Sequence, residues 1–244
     1  MHAIPNAHLR ARPRLRAPDP TPVLLAVAAF VIGLVAWPAS ADATPSAAMH
    51  VDGVPVTFEE LAVYRAERDV TEAYRAAVLR GDVEGFEPAE LRRMQENIAA
   101  ISAIEQGYDE SVVLAGQIAI RTAPYARARA LGVEPSTTLI GEQAAMSRTG
   151  LVLRDVALVS AMGEDAYREV YRPLVARREL SLQRLALVLE LPRDALSTAS
   201  LRLARAGSVE VSSMLGVSSA QVRAYLADLE ALVERDGRGG NGLY

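Results

Sequence analysis

The chain has 244 residues, half of them apolar, and a formal charge of −4. It holds no cysteine, which excludes disulfides, thiolate metal sites, a thiol nucleophile and a lipidated cysteine anchor. All 26 basic residues are arginine, a bias we assign to genome composition before function. Aromatics are only 5 %, while Ala, Leu and Val abound, a mixture that favours helix because Ala and Leu lose little on entering one.

Residues 1–20 carry Arg10, Arg12, Arg14 and Arg16 against the single acid Asp19. Residues 23–37 are uncharged and apolar, Pro38 follows, and Ala39-Ser40-Ala41 gives the small-x-small pattern of a signal peptidase site at Ala39 and Ala41. The pattern predicts a signal peptide, or a retained membrane anchor, over 1–41. Either one would place the rest of the chain outside the cytoplasm, exported or periplasmic. Beyond residue 41 the chain keeps 22 arginines against 29 acids, about −7. Such an acidic domain disfavours nucleic acid and anionic membrane surfaces as partners.

Residues 42–48 read as a linker. Asp52-Gly53 is a hairpin turn between short β-prone runs within 49–56. Thr57 with Glu60 forms a capping box that starts a helix at Phe58, with Gly81 as its stop. Pro88 opens a second helix whose Leu91, Met94, Ile98, Ile101 and Ile104 share one face. A third runs from Glu110 to Leu131, with a kink or break predicted at Pro124. Shorter helices fit 138–147 and 151–162. Glu164 to Glu190 is strongly helical, lined by Tyr167, Tyr171, Leu174, Leu182, Leu185 and Leu189, and interrupted at Pro173. Pro192 begins a further helix to Ala206, Val209-Glu210-Val211 reads as a strand, and a last helix spans Ala220 to Glu234 behind a Ser218 or Ser219 cap. Residues 237–244 are glycine-rich and read as a disordered tail. The class is mostly α: a helical bundle over 49–236 with a small β-hairpin at its start.

The stretch 51–61 (VDGVPVTFEEL) resembles the opening of the N-terminal chaperone domain of SurA-type and PrsA-type foldases. Residues 127–147 and 163–189 resemble later segments of that family in the same order, with Gly163, Asp165, Tyr167, Tyr171, Pro173, Arg178 and Leu180 as landmarks. The resemblance implies a helical bundle that shelters unfolded exported polypeptides in an apolar groove. It also implies a late strand returning to the hairpin, for which Val209–Val211 is the candidate. The family's parvulin isomerase domain has no counterpart here, so the implied protein is a non-enzymatic chaperone. Tyr167, Tyr171 and Leu174 are its candidate client-contact residues.

The catalytic inventory agrees with that expectation. His50 is the one histidine after residue 41, so triad and zinc chemistry lack their residues, and no phosphate-binding glycine motif occurs. We expect no catalytic residue, no cofactor and no metal. The acids Glu59, Glu60, Glu87, Glu90, Asp109, Glu110, Glu164 and Asp165 fall at helix starts, as caps and dipole complements. One feature competes. Residues 211–226 resemble a helix-turn-helix with Gly216 at the turn, which would suit a membrane-tethered regulator. Its reading helix, however, carries Gln221 and Arg223 followed by Asp228, Glu230 and Glu234, a poor surface for DNA.

Overall fold

Asp52 and Gly53 both adopt positive φ, 48° and 75°. This two-residue turn matches the twist of the strands it joins, β1 (Ala47–Val51) and β2 (Val54–Thr57). The computed structural model describes residues 47–146, 152–191 and 196–236, and everything below concerns those residues. β1 begins two residues inside the expected linker, and Ala48 and Met49 are buried. β3 (Val209–Val211) pairs antiparallel with β1, Val51 opposite Val209 and Met49 opposite Val211. The sheet order is therefore β2-β1-β3. The Asp52 carboxylate reinforces the pairing by accepting from the Ser208 N–H at 2.5 Å and from the Ser208 hydroxyl at 3.2 Å.

Helix α1 (Phe58–Arg80) starts on the expected capping box. The Thr57 hydroxyl accepts from the Glu60 N–H, and the Glu60 carboxylate accepts from the Thr57 N–H. It ends at Gly81 in the left-handed conformation. α2 (Pro88–Glu105) begins on its first-turn proline and packs on α1. α3 (Glu110–Ala130) lies at the centre. It packs against α1 and β1 and against three later helices: α6 (164–188), α7 (Leu196–Ala206) and α8 (Ser219–Asp236). Nearly every residue from Val112 to Ala126 is buried, on all sides of the helix. α4 (Thr137–Met146) packs on α6, and α5 (Val152–Met162) on α1.

The break at Pro124 and the interruption at Pro173 need correction. α3 runs unbroken through Pro124, because burial against five elements outweighs a cost of about 3 kcal/mol for an interior proline. At Pro173 the helix is not interrupted either. α6 opens with a turn at Glu164–Ala166, widens into a π-helical turn at Tyr167–Tyr171 and continues as Arg172–Val188. The Arg172 N–H donates to the Tyr167 carbonyl five residues back, so the irregularity that the proline demands is taken up just before it.

The competing helix-turn-helix resemblance at 211–226 has no counterpart in the structure. Val211 ends a strand, Ser213–Leu215 make one 3₁₀ turn, and only α8 is a helix. Val211 pairs with β1 and the chain is tied again where the Ser212 N–H donates to the Ala48 carbonyl, so no first helix can wind there. Ser218 caps α8, its hydroxyl accepting from the Gln221 N–H while the Gln221 side chain accepts from the Ser218 N–H. The start at Pro192, the segment 23–37 with Ala39 and Ala41, and the tail 237–244 lie outside the described residues. Among the described residues no helix is long and apolar enough to cross a membrane.

Candidate functional site

The inner face of α1 follows Leu61, Tyr64, Glu67, Thr71, Arg75 and Val78, a helical stripe in which two positions are charged. Glu67 is only 3 % exposed. One of its oxygens meets Arg121 of α3 in an ion pair. The other takes Arg154 of α5 at 3.1 Å and the Tyr171 hydroxyl of α6 at 3.0 Å. One carboxylate thus joins four helices. Arg121 also lies over the Tyr64 ring, 5.6 Å from its centroid.

Burial lowers the Arg121 guanidinium to about 10, and the positive charges of Arg178 and Arg154 act in the same direction. Burial likewise lowers Arg178 and raises the Tyr64 and Tyr171 phenols. About two helical turns from Glu67 toward the start of α1, Glu60 pairs with Arg177 at 3.3 Å, and Arg177 stacks over Tyr125 at 4.9 Å. Toward the other end of α1, Arg75 bridges Glu72 at 2.8 Å and Glu105 at 2.9 Å, and Glu105 also accepts from Gln117 at 3.2 Å.

These buried ions were not singled out by the sequence reading, which placed the acids at helix starts. Their signal was a charged residue on an otherwise apolar stripe. Glu67 and Glu105 are met by arginines, amides and phenols, not by a second carboxylate. Among the described residues no group of three or more His, Asp or Glu could hold a metal ion. His50 sits half-buried in β1, opposite Pro55 and Glu210.

Of the expected client-contact residues, Tyr171 and Leu174 are placed in the core and Tyr167 lies half-buried against it. Tyr171 is 4 % and Leu174 6 % exposed. Tyr167 stacks on Tyr171 at 5.6 Å, and its hydroxyl donates to Asp155 at 2.8 Å. Their hydroxyls are committed to acids inside the bundle, so the rings point inward. Exposed apolar surface lies instead at the far end of α6, where Leu187 is 80 % and Val188 52 % exposed, with Leu189 exposed beside them. The exposed Leu131, just past α3, belongs to the same end, because Arg184 of α6 donates to the Val133 and Glu134 carbonyls.

Tyr108 offers a pH-dependent readout of the packing of α8. Its hydroxyl donates to Asp228 at 2.6 Å, and that bond pushes the phenol up from 10.0 to about 12. The contact contributes fully below pH 10.0 and is lost as the pH rises through about 12. In a spectrophotometric titration, Tyr108→Phe should remove one phenol ionising near 12. Asp228→Asn should bring that phenol down, and an unchanged titration in Asp228→Asn would reject the assignment.

No protein-family model, curated protein or solved structure matches the chain.

Proposed function

We propose that the chain is an exported, non-enzymatic chaperone that binds unfolded exported polypeptides, as its resemblance to SurA-type N-terminal domains implies. The observation that carries this reading is the pairing of β3 with β1 beside the long helices. The resemblance calls for that late return of the chain, and 158 residues separate the paired positions Val51 and Val209. Client contact then falls to the exposed apolar end of α6, Leu187, Val188 and Leu189, and not to Tyr167, Tyr171 and Leu174. The segment 23–37 would direct export and, if uncut, tether the protein to the membrane.

The test is suppression of aggregation of a denatured envelope protein diluted into buffer. The purified protein should suppress it at a few-fold excess. Leu187→Asp combined with Leu189→Asp should abolish suppression while leaving the melting curve nearly unmoved, since exposed substitutions typically change stability by less than about 0.5 kcal/mol. A well-folded sample without suppression at several-fold excess would overturn the proposal.

A further inference from the structure

An Asp-Gly link is open to attack from within the chain. Glycine has no Cβ to shield its nitrogen, so that nitrogen can close on the carboxyl carbon of the aspartate before it. A new N–C bond forms a cyclic imide, and the carboxyl's hydroxyl leaves with the amide proton as water. Water then reopens the ring. Opening at the aspartate's backbone carbonyl leaves the chain running through the side chain, one carbon longer than before. Asp52-Gly53 is such a link, and it sits in an exposed two-residue turn.

In the fold this carboxylate is held by the returning strand. It accepts from the Ser208 N–H at 2.5 Å and from the Ser208 hydroxyl at 3.2 Å. The Ser208 carbonyl in turn accepts from the Asp52 N–H at 2.9 Å, so turn and strand grip each other from both sides. Gly207 makes room for the contact: a Cβ there would lie 2.8 Å from the Asp52 Cγ, on the carboxylate itself. Attack requires the carboxyl to swing onto the Gly53 nitrogen, which it cannot do while Ser208 holds it. We propose that Asp52-Gly53 is a latent isomerisation site, closed while β3 is paired with β1 and opened when β3 leaves. The altered link puts an extra backbone carbon into a two-residue turn, so β1 no longer meets β2 in register. A chain that loses β3 for long enough is thereby kept from closing again. The site rests on the sheet alone and not on the chaperone reading.

The full chain is incubated in heavy-oxygen water at neutral pH, folded and in urea, and its peptides are mapped by mass. Each imide reopened by water adds one heavy oxygen to the peptide that bears Asp52. In urea Asp52-Gly53 should label at the rate of Asp236-Gly237, the same dipeptide elsewhere in the chain. In the folded chain Asp52 should label at least about tenfold more slowly, the factor expected of one hydrogen bond to a charged group. Gly207→Ala should restore most of the lost rate, because its methyl displaces the carboxylate from Ser208. The Gly207 backbone is not left-handed, so alanine adds no strain of its own, and circular dichroism checks that the variant is folded. Ser208→Pro, which removes the N–H donor and keeps the carbonyl, is the second variant if Gly207→Ala does not fold. Equal labelling of Asp52 in the folded and unfolded chain would overturn the site. So would a folded variant that labels no faster than the unsubstituted chain.

Discussion

Replacing Glu67 by glutamine is expected to destabilise the folded chain by about 3–5 kcal/mol, the usual cost of removing one partner from a buried ion pair. For a domain of this size that corresponds to a fall in melting temperature of about 6–20 °C. The two arginines should not suffer alike. The Arg154 side chain is 43 % exposed and can turn to water, whereas Arg121 is enclosed and would keep its charge without a counter-ion. Arg121 therefore accounts for most of the loss. Replacing Glu67 and Arg121 together by methionines should cost less than Glu67→Gln alone, because the pair then leaves no stranded charge. Denaturant melts of the single and double variants test this, and a double variant less stable than the single one would contradict it.

Gly116→Ala is expected to cost about 2–3 kcal/mol, near the top of the usual range for overpacking, even though alanine is the better helix former. A Cβ at Gly116 would collide with Cδ1 and Cε1 of Tyr225, the latter at 2.5 Å. The ring cannot step aside. Tyr225 is fully buried, Tyr108 packs edge-on against it at 5.4 Å, and its hydroxyl reaches Glu105 at 3.4 Å. The strain must therefore push α3 and α8 apart. In the Tyr225→Leu background the same glycine substitution should cost under about 1 kcal/mol, a coupling that a double-mutant cycle measures directly. Equal costs in the two backgrounds would show that Gly116 is not there for the close approach.

The clearest features of the sequence were those whose cause lies within four residues. The Thr57–Glu60 box, the Gly81 stop, the Pro88 start and the Ser218 cap each satisfy backbone groups from close by, and all appear where expected. The two internal prolines were misjudged because their local cost competes with distant packing. Pro124 is carried through by the burial of α3, and Pro173 is absorbed by a π turn. The run Val112–Ile120, with Gln117 as its one strongly polar residue, was already apolar on every face, which marks a central helix and not an amphipathic one. Tyr167, Tyr171 and Leu174 make the opposite case. A stripe of large apolar side chains reads the same whether it meets a client or the protein's own core, and here α1 and α5 supply the acids that turn the tyrosines inward.

By itself the sequence determined where most helices begin and end and that the chain is mostly helical with a hairpin at Asp52-Gly53, because capping, turn geometry and helical periodicity act over a few residues. The expectation that Val209–Val211 returns to that hairpin came with the family resemblance, since no local pattern links residues so far apart. Only the tertiary structure decided that Glu67 and Arg121 are buried together and that Gly116 receives Tyr225. It alone also left Leu187 and Val188 exposed while enclosing Tyr171 and Leu174. Burial, charge pairing and close packing are set by groups tens to over a hundred residues apart in the chain, and they acquire a value only once those groups meet.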